Sequence, residues 1–163
     1  MKPAPFDYFA PTSVEEVRGL LTQYGDEAKI LAGGQSLVPV MALRLAQPSV
    51  VIDINNVREL NYIHADDHGL AIGAVTRQRA VERSVTVREK VPLLTAAIEW
   101  IGHPQIRNRG TIGGSLAHAD PAAELPALAA VLDATFTVTN TSGTKRTLNA
   151  SDFFVSYLTT ALG

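Results

Sequence analysis

The sequence contains no cysteine, a single tryptophan and only four histidines among its 163 residues. Without thiols the chain carries no disulfide, no thiolate zinc site and no cysteine-ligated iron–sulfur cluster of its own. The histidines, His64, His68, His103 and His118, lack paired ligand spacing, and His118-Ala119-Asp120 alone does not make a metal site, so no metal ligand is assigned. An excess of positive charge is also missing. Fourteen Lys and Arg stand against sixteen Asp and Glu, a net charge of −2, which excludes the basic footprint that nucleic-acid partners need. No apolar run approaches the roughly 20 residues of a membrane span. Met1 to Phe6 has no apolar signal-peptide core. These absences lead to the expectation of a soluble, cytoplasmic protein with no nucleic-acid partner and no membrane span.

Familiar catalytic signatures are missing too. There is no G-x-S-x-G elbow, and no nucleophile–base–orienter set emerges, so no catalytic residue is assigned. Neither the GxGxxG dinucleotide fingerprint nor a phosphate loop ending in Gly-Lys-Ser/Thr is present.

Two glycine pairs are what the chain does have. Ala32-Gly33-Gly34-Gln35-Ser36 and Thr111-Ile112-Gly113-Gly114-Ser115 each follow an apolar stretch or an Arg-rich one and close on a hydroxyl. Glycine pairs permit positive φ and let backbone N–H groups approach a ligand with no Cβ in the way. Either loop alone reads equally well as a turn that uses glycine for geometry. Together they favour a ligand with two phosphates, or a phosphate and a sugar, gripped from both sides. Glu124, in the turn before a helix expected to begin at Pro126, is free to accept hydrogen bonds from ribityl or ribose hydroxyls. Arg107 and Arg109 precede the second loop and read as solvated surface residues within reach of phosphate. Trp100 reads as a core or interface residue.

The apolar content, 46%, suffices for one domain or two small subdomains sharing a ligand. Residues 1–56 alternate strand and helix: strands at 6–9, 29–31 and 50–54, and helices at 14–24 and 37–45. Ser13 and Glu16 form a capping box, and Pro39 falls in a first turn, where it is tolerated. That alternation predicts a parallel βαβ-type unit. Residues 57–163 change character. Strands at 60–65 and 69–72 flank the turn Asp66-Asp67-His68, and Thr76 caps a short helix through Val81. A helix covers 92–101, and 102–110 is irregular. A helix near 125–132, strands at 135–140 and 145–148, and a Ser151-capped segment to Leu158 complete the chain. The expected class is α+β, an α/β N-terminal subdomain (1–56) followed by a mixed α+β subdomain (57–163).

At both loops the chain resembles the FAD-binding (medium) subunit of molybdenum hydroxylases, the carbon monoxide dehydrogenase and xanthine dehydrogenase family. The family reads Ala-Gly-Gly-[His/Gln]-Ser and Thr-[Ile/Val]-Gly-Gly-[Asn/Ser], matched by Ala32–Ser36 and Thr111–Ser115. Phe6-Asp7-Tyr8 with Pro11, Arg107 to Gly110, Asp120 to Pro126 and Asp152-Phe153-Phe154 match as well, so the likeness runs the full length. It implies the PCMH-type FAD-binding fold, with the family's C-terminal domain absent from this sequence. Its cofactor would be FAD. By the same resemblance, Ala32, Gly33, Gly34, Gln35 and Ser36 wrap the pyrophosphate, and Thr111, Gly113, Gly114 and Ser115 meet pyrophosphate and ribityl. Glu124 takes a cofactor hydroxyl and Ile101 packs near the flavin or adenine. Ser115 stands where the family often has Asn. The implied role is a subunit, incomplete as a catalyst alone. It would relay electrons from molybdenum and iron–sulfur centres, carried on a molybdopterin-binding large subunit and an iron–sulfur small subunit, to an external acceptor. Two alternatives are a stand-alone flavoenzyme of the same fold and a non-catalytic domain that has lost FAD.

Overall fold

The computed structural model describes residues 1–67 and 69–162. The N-terminal third is a three-stranded parallel sheet made of β1 (Asp7–Phe9), β2 (Ala28–Leu31) and β3 (Val50–Asp53), in the order β1-β3-β2. Central β3 pairs on both sides, and its Val50, Val51 and Ile52 are buried. Apolar runs of β-branched residues suit such a doubly flanked strand. Helix α1 (Val14–Tyr24) makes the crossover. Ser13 Oγ accepts from Glu16 N, while the Glu16 carboxylate reaches back to Thr12 N rather than to Ser13 N, so the capping box closes one residue early. Gly25 stops the helix with φ +50°. Strand β2 runs directly into the first glycine loop, which opens α2 (Leu37–Ala42).

The rest is helical with small antiparallel hairpins. Hairpin β4 (Ile63–Asp66) and β5 (Gly69–Ile72) comes first; its expected turn includes His68, which lies outside the described residues. Helices α3 (Gln78–Arg83), α4 (Val85–Lys90), α5 (Pro92–Ile98), α6 (Pro104–Arg109), α7 (Ile112–His118) and α8 (Glu124–Val131) follow. Hairpin β6 (Thr135–Thr139) and β7 (Lys145–Asn149), helix α9 (Ala150–Phe153), and hairpin β8 (Phe154–Ser156) and β9 (Thr159–Thr160) close the chain. The class is α+β, as the sequence suggested. Two apolar clusters hold it together. One joins Val17, Ala28, Val50, Ile52 and Ile54 to Val57 and Val75. The other gathers Val81, Val87, Leu94, Ile98, Ile112, Leu125 and Leu128.

Several local expectations are corrected. The stretch 102–110 is not irregular throughout, because α6 occupies most of it with Pro104 at its start. Helix α4 was not foreseen, although Ser84 caps it by accepting from Val87 N. Thr76 does not cap α3; its hydroxyl is spent on the Tyr62 backbone, and Arg77 is the cap residue. Helix α8 begins at Glu124, two residues before Pro126, because proline is tolerated throughout a first turn. The final segment is helical only to Phe153. There Phe153 stacks on Phe136 at 4.1 Å while Phe154 meets both rings edge-on, and an extended chain after Phe153 allows that arrangement. Trp100 is no core residue: it is 80% exposed.

Candidate functional site

The two glycine loops meet. A Cβ built on Gly33 would stand 2.6 Å from Arg109 O and 2.8 Å from Gly110 Cα, so the first loop lies against the residues that open the second. A Cβ on Gly114 would touch Ala32 Cβ at 3.5 Å, a second point of contact between them. The first approach needs a residue with no side chain, while the second is ordinary van der Waals contact.

The glycines act in different ways. In the first loop Gly34 adopts φ +74°, which glycine alone takes without strain. Gly113 and Gly114 instead lie in the first turn of α7, so positive φ is not their purpose. A Cβ on Gly113 would collide with Ala74 at 2.6 Å, and one on Gly114 with Thr111 Oγ1 at 2.6 Å. Thr111 is the α7 cap, 2% exposed, and its hydroxyl accepts from Gly114 N at 3.1 Å. Gly113 N and Ile112 N are taken by Ala74 O and Thr76 O.

The first loop keeps its donors free. Among the described residues, the N–H groups of Gly33, Gly34, Gln35 and Ser36 have no acceptor within the protein, and neither does the Ser36 hydroxyl as donor. Gln35 folds back, donating from Nε2 to Gly33 O at 2.9 Å. The Gly33 to Gln35 backbone, with Leu31, Val38, Pro39 and Arg109, lines an open cleft of about 290 Å³. Unpaired N–H groups, with Arg109 among the lining residues and an apolar flank, suit an anionic group joined to something less polar.

Beneath the loops lies a polar network that sequence reasoning missed. Asn55 Nδ2 donates to Ala32 O at 2.8 Å and to Asp53 Oδ1, while Arg77 Nη2 donates to Asn55 Oδ1 at 2.7 Å. Arg77 Nη1 donates to Arg109 O, and Tyr8 OH donates to Asp53 Oδ2 at 2.5 Å. Burial and the charge of Arg109 pull the Arg77 guanidinium below its ordinary value, against the opposing pull of Asp53. The Tyr8 hydroxyl is held above its ordinary value by its hydrogen bond to Asp53, with burial adding to it. The visible signal was Asp53 and Asn55, two polar residues either side of Ile54, at the exit of a buried strand.

Arg107 corrects another expectation, since it is buried rather than solvated. Its guanidinium pairs with Glu82 (Nε to Oε2, 2.9 Å) and donates to the carbonyls of Glu99, Ile101 and Gly102. It thereby straps the turn after α5 to α3. Burial alone would raise the Glu82 carboxyl, but hydrogen bonds from Arg79 and Arg107 outweigh it and hold it below the ordinary value. Ile101 presents its carbonyl to this strap and packs its side chain on the second cluster. Glu124 is the first residue of α8, which packs on α7. Among the described residues no hydrogen bond ties Ile101 or Glu124 to the glycine loops. Ser115 lies half-buried within α7, its N–H bonded to Thr111 O. No group of three His, Asp or Glu side chains among the described residues is arranged to hold a metal ion.

A parallel βαβ unit joined to a helical layer, with two glycine loops pressed together and bare amides on one of them, defines an α+β nucleotide-binding domain. The family described as the FAD binding domain in molybdopterin dehydrogenase matches residues 4–163, and the chain belongs to it. It is 48% identical to the 6-hydroxypseudooxynicotine dehydrogenase complex subunit alpha of Paenarthrobacter nicotinovorans over 162 residues, 99% of this chain and 54% of that one. It is 45% identical to the carbon monoxide dehydrogenase medium chain of Hydrogenophaga pseudoflava, covering 98% of this chain and 55% of the other. Among solved structures, carbon monoxide dehydrogenase from Hydrogenophaga pseudoflava superposes with a TM-score of 0.97, at 45% identity, over 100% of this chain and 56% of that one. Quinoline 2-oxidoreductase from Pseudomonas putida 86 gives 0.96 at 41% identity, over 100% of this chain and 56% of that one. The chain spans about half the length of the curated relatives it matches.

The residues present fit FAD, the family's cofactor. Free amides at Gly33 to Ser36, a cradle that any Cβ would fill, and Arg109 beside it match a pyrophosphate.

Proposed function

We propose that this chain is the FAD-binding part of a multisubunit molybdenum hydroxylase. Bound there, FAD would accept and pass on electrons; the protein contributes binding, orientation and shielding. Ala32, Gly33, Gly34, Gln35 and Ser36 wrap the pyrophosphate, the unpaired amides of Gly33 to Ser36 donating to it, and Arg109 offsets its charge. Thr111, Gly113, Gly114 and Ser115 meet the pyrophosphate and ribityl from the other side, with Thr111 acting mainly as the cap that fixes α7. Glu124 takes a cofactor hydroxyl, and the strapped turn carrying Ile101 packs near a ring system. Two subdomains, 1–56 and 57–163, share the ligand. The partners are an iron–sulfur small subunit and a molybdopterin-binding large subunit, in the cytoplasm. Relatives named as subunit alpha of a 6-hydroxypseudooxynicotine dehydrogenase complex and as the medium chain of a carbon monoxide dehydrogenase support the reading.

The contact between the two glycine loops carries the proposal, because it turns two separate turns into one cradle. An absorbance spectrum of the purified chain, before and after adding FAD and desalting, tests it. Retained flavin bands are expected. Complete release of added FAD, both from this chain and from one extended to the relatives' full length, refutes it.

A further inference from the structure

The amide of Asn55 has its orientation dictated by chemistry. A guanidinium only donates, so the group facing Arg77 is Oδ1; a carbonyl and a carboxylate only accept, so the NH₂ faces Ala32 O and Asp53. Ala32 O is therefore turned toward Asn55. In a trans peptide the following N–H points the opposite way. That N–H belongs to Gly33, and it has no acceptor within the protein among the described residues. Pinning one carbonyl thus aims one free donor.

Arg77 does the matching work for the second loop. Its backbone forms a bridge with Thr111, and its neighbours Thr76 and Gln78 bond to Ile112 and Gly110. Its side chain then reaches in two directions, to Arg109 O and, through Asn55, to Ala32 O. Arg109 O is also the atom that a Cβ on Gly33 would strike. Arg77 therefore holds that carbonyl in the space that Gly33 leaves open. A planar fork with two fixed donor directions suits this task, and a lysine ammonium does not.

We propose that Arg77 and Asn55 are positioning residues of the dinucleotide site: they join the two glycine loops and aim the Gly33 N–H at the ligand's phosphates. The inference rests on the reading that these loops hold FAD. Neither residue needs to touch the cofactor, and Asp53 with Tyr8 completes the network by fixing Asn55 from behind.

The test is FAD affinity of the full chain, read by quenching of flavin fluorescence, with urea unfolding measured alongside. Asn55→Ala and Arg77→Lys are each expected to weaken FAD binding by about 10- to 100-fold, the worth of one or two hydrogen bonds involving charge. Val17→Ala, in the first apolar cluster away from the loops, lowers stability and leaves the affinity unchanged. If Asn55→Ala does not fold, Asn55→Asp replaces it; it keeps the shape but sets a carboxylate against Ala32 O and Asp53, with the same loss expected. Wild-type affinity in Arg77→Lys would show that only charge matters and would overturn the proposal. So would an equal loss in Val17→Ala. A double-mutant cycle of Asn55→Ala with Arg77→Gln, read by unfolding without FAD, should be non-additive; additive effects refute the joining of the loops. Failure of the parent chain to bind FAD would sink the functional reading and the aiming of Gly33, while the cycle would still report on the clamp itself.

Discussion

At the scale of single residues, the site depends on atoms that are absent. Gly33→Ala places a Cβ 2.6 Å from a backbone carbonyl held by Arg77, so the loop must move rather than the neighbour. Overpacking of this kind costs about 1–3 kcal/mol. The substitution should lower the urea midpoint and abolish flavin retention together, both readable on one purified sample. Arg107 supplies a second residue-scale expectation. Arg107→Met leaves Glu82 without one partner and three carbonyls without a donor, in a pair only 8% and 12% exposed. Breaking it should cost about 3–5 kcal/mol in chemical denaturation. The pH dependence has a definite sign. Because the Glu82 carboxyl is held below its ordinary value in the fold, its contribution is complete above the ordinary carboxylate pKa and is lost as pH falls through the lower folded value. Stability should therefore fall with acid below about pH 4.3, and Glu82→Gln should flatten that part of the profile in urea titrations.

At the scale of elements, α7 is a helix that its own sequence disfavours. Two consecutive glycines in a seven-residue helix cost about 1 kcal/mol each relative to alanine. The Thr111 cap and the packing of Gly113 on Ala74 offset this loss. Thr111→Val keeps the volume and removes the acceptor, and should cost about 1 kcal/mol while speeding hydrogen exchange at the Gly114 amide. Unchanged exchange would mean that packing alone holds the turn. Helix α6 shows the reverse dependence. Its residues Pro104-Gln105-Ile106-Arg107-Asn108-Arg109 have no apolar period, so nothing local announces a helix. It forms because Arg107, one of its residues, is fixed by Glu82 on α3 and by the preceding turn.

At the scale of the molecule, two apolar clusters are brought to one site by the loops. The first loop leaves β2, whose Ala28 is in one cluster, and the second opens α7, whose Ile112 is in the other. A ligand gripped by both loops binds only when both halves are folded and docked. Saturating FAD at about 100 times its Kd should add about 2.7 kcal/mol. For a domain of this size that raises Tm by about 5–10 °C in differential scanning calorimetry. A Tm that ignores FAD would mean that the loops do not share a ligand.

Local chemistry determined a good deal of this protein. The β-branched run Val50-Val51-Ile52 made a central strand, Ser13 made a helix start, and the glycine pairs marked both loops, because each of these depends on neighbours a few residues away. Tertiary structure decided what depends on distant partners. Asn55 and Arg77 are 22 residues apart and carry no motif, yet they join the loops. Arg107 changed from a solvated surface residue to a buried strap because Glu82, 25 residues away, meets it. Gly113 and Gly114 kept their importance, but neither takes positive φ, and their missing Cβ makes room for the protein itself, since Ala74 and the Thr111 hydroxyl occupy the space a side chain would need. Spacing along the chain encodes loops and helix ends; which side chains converge beneath them is set only when the two clusters pack.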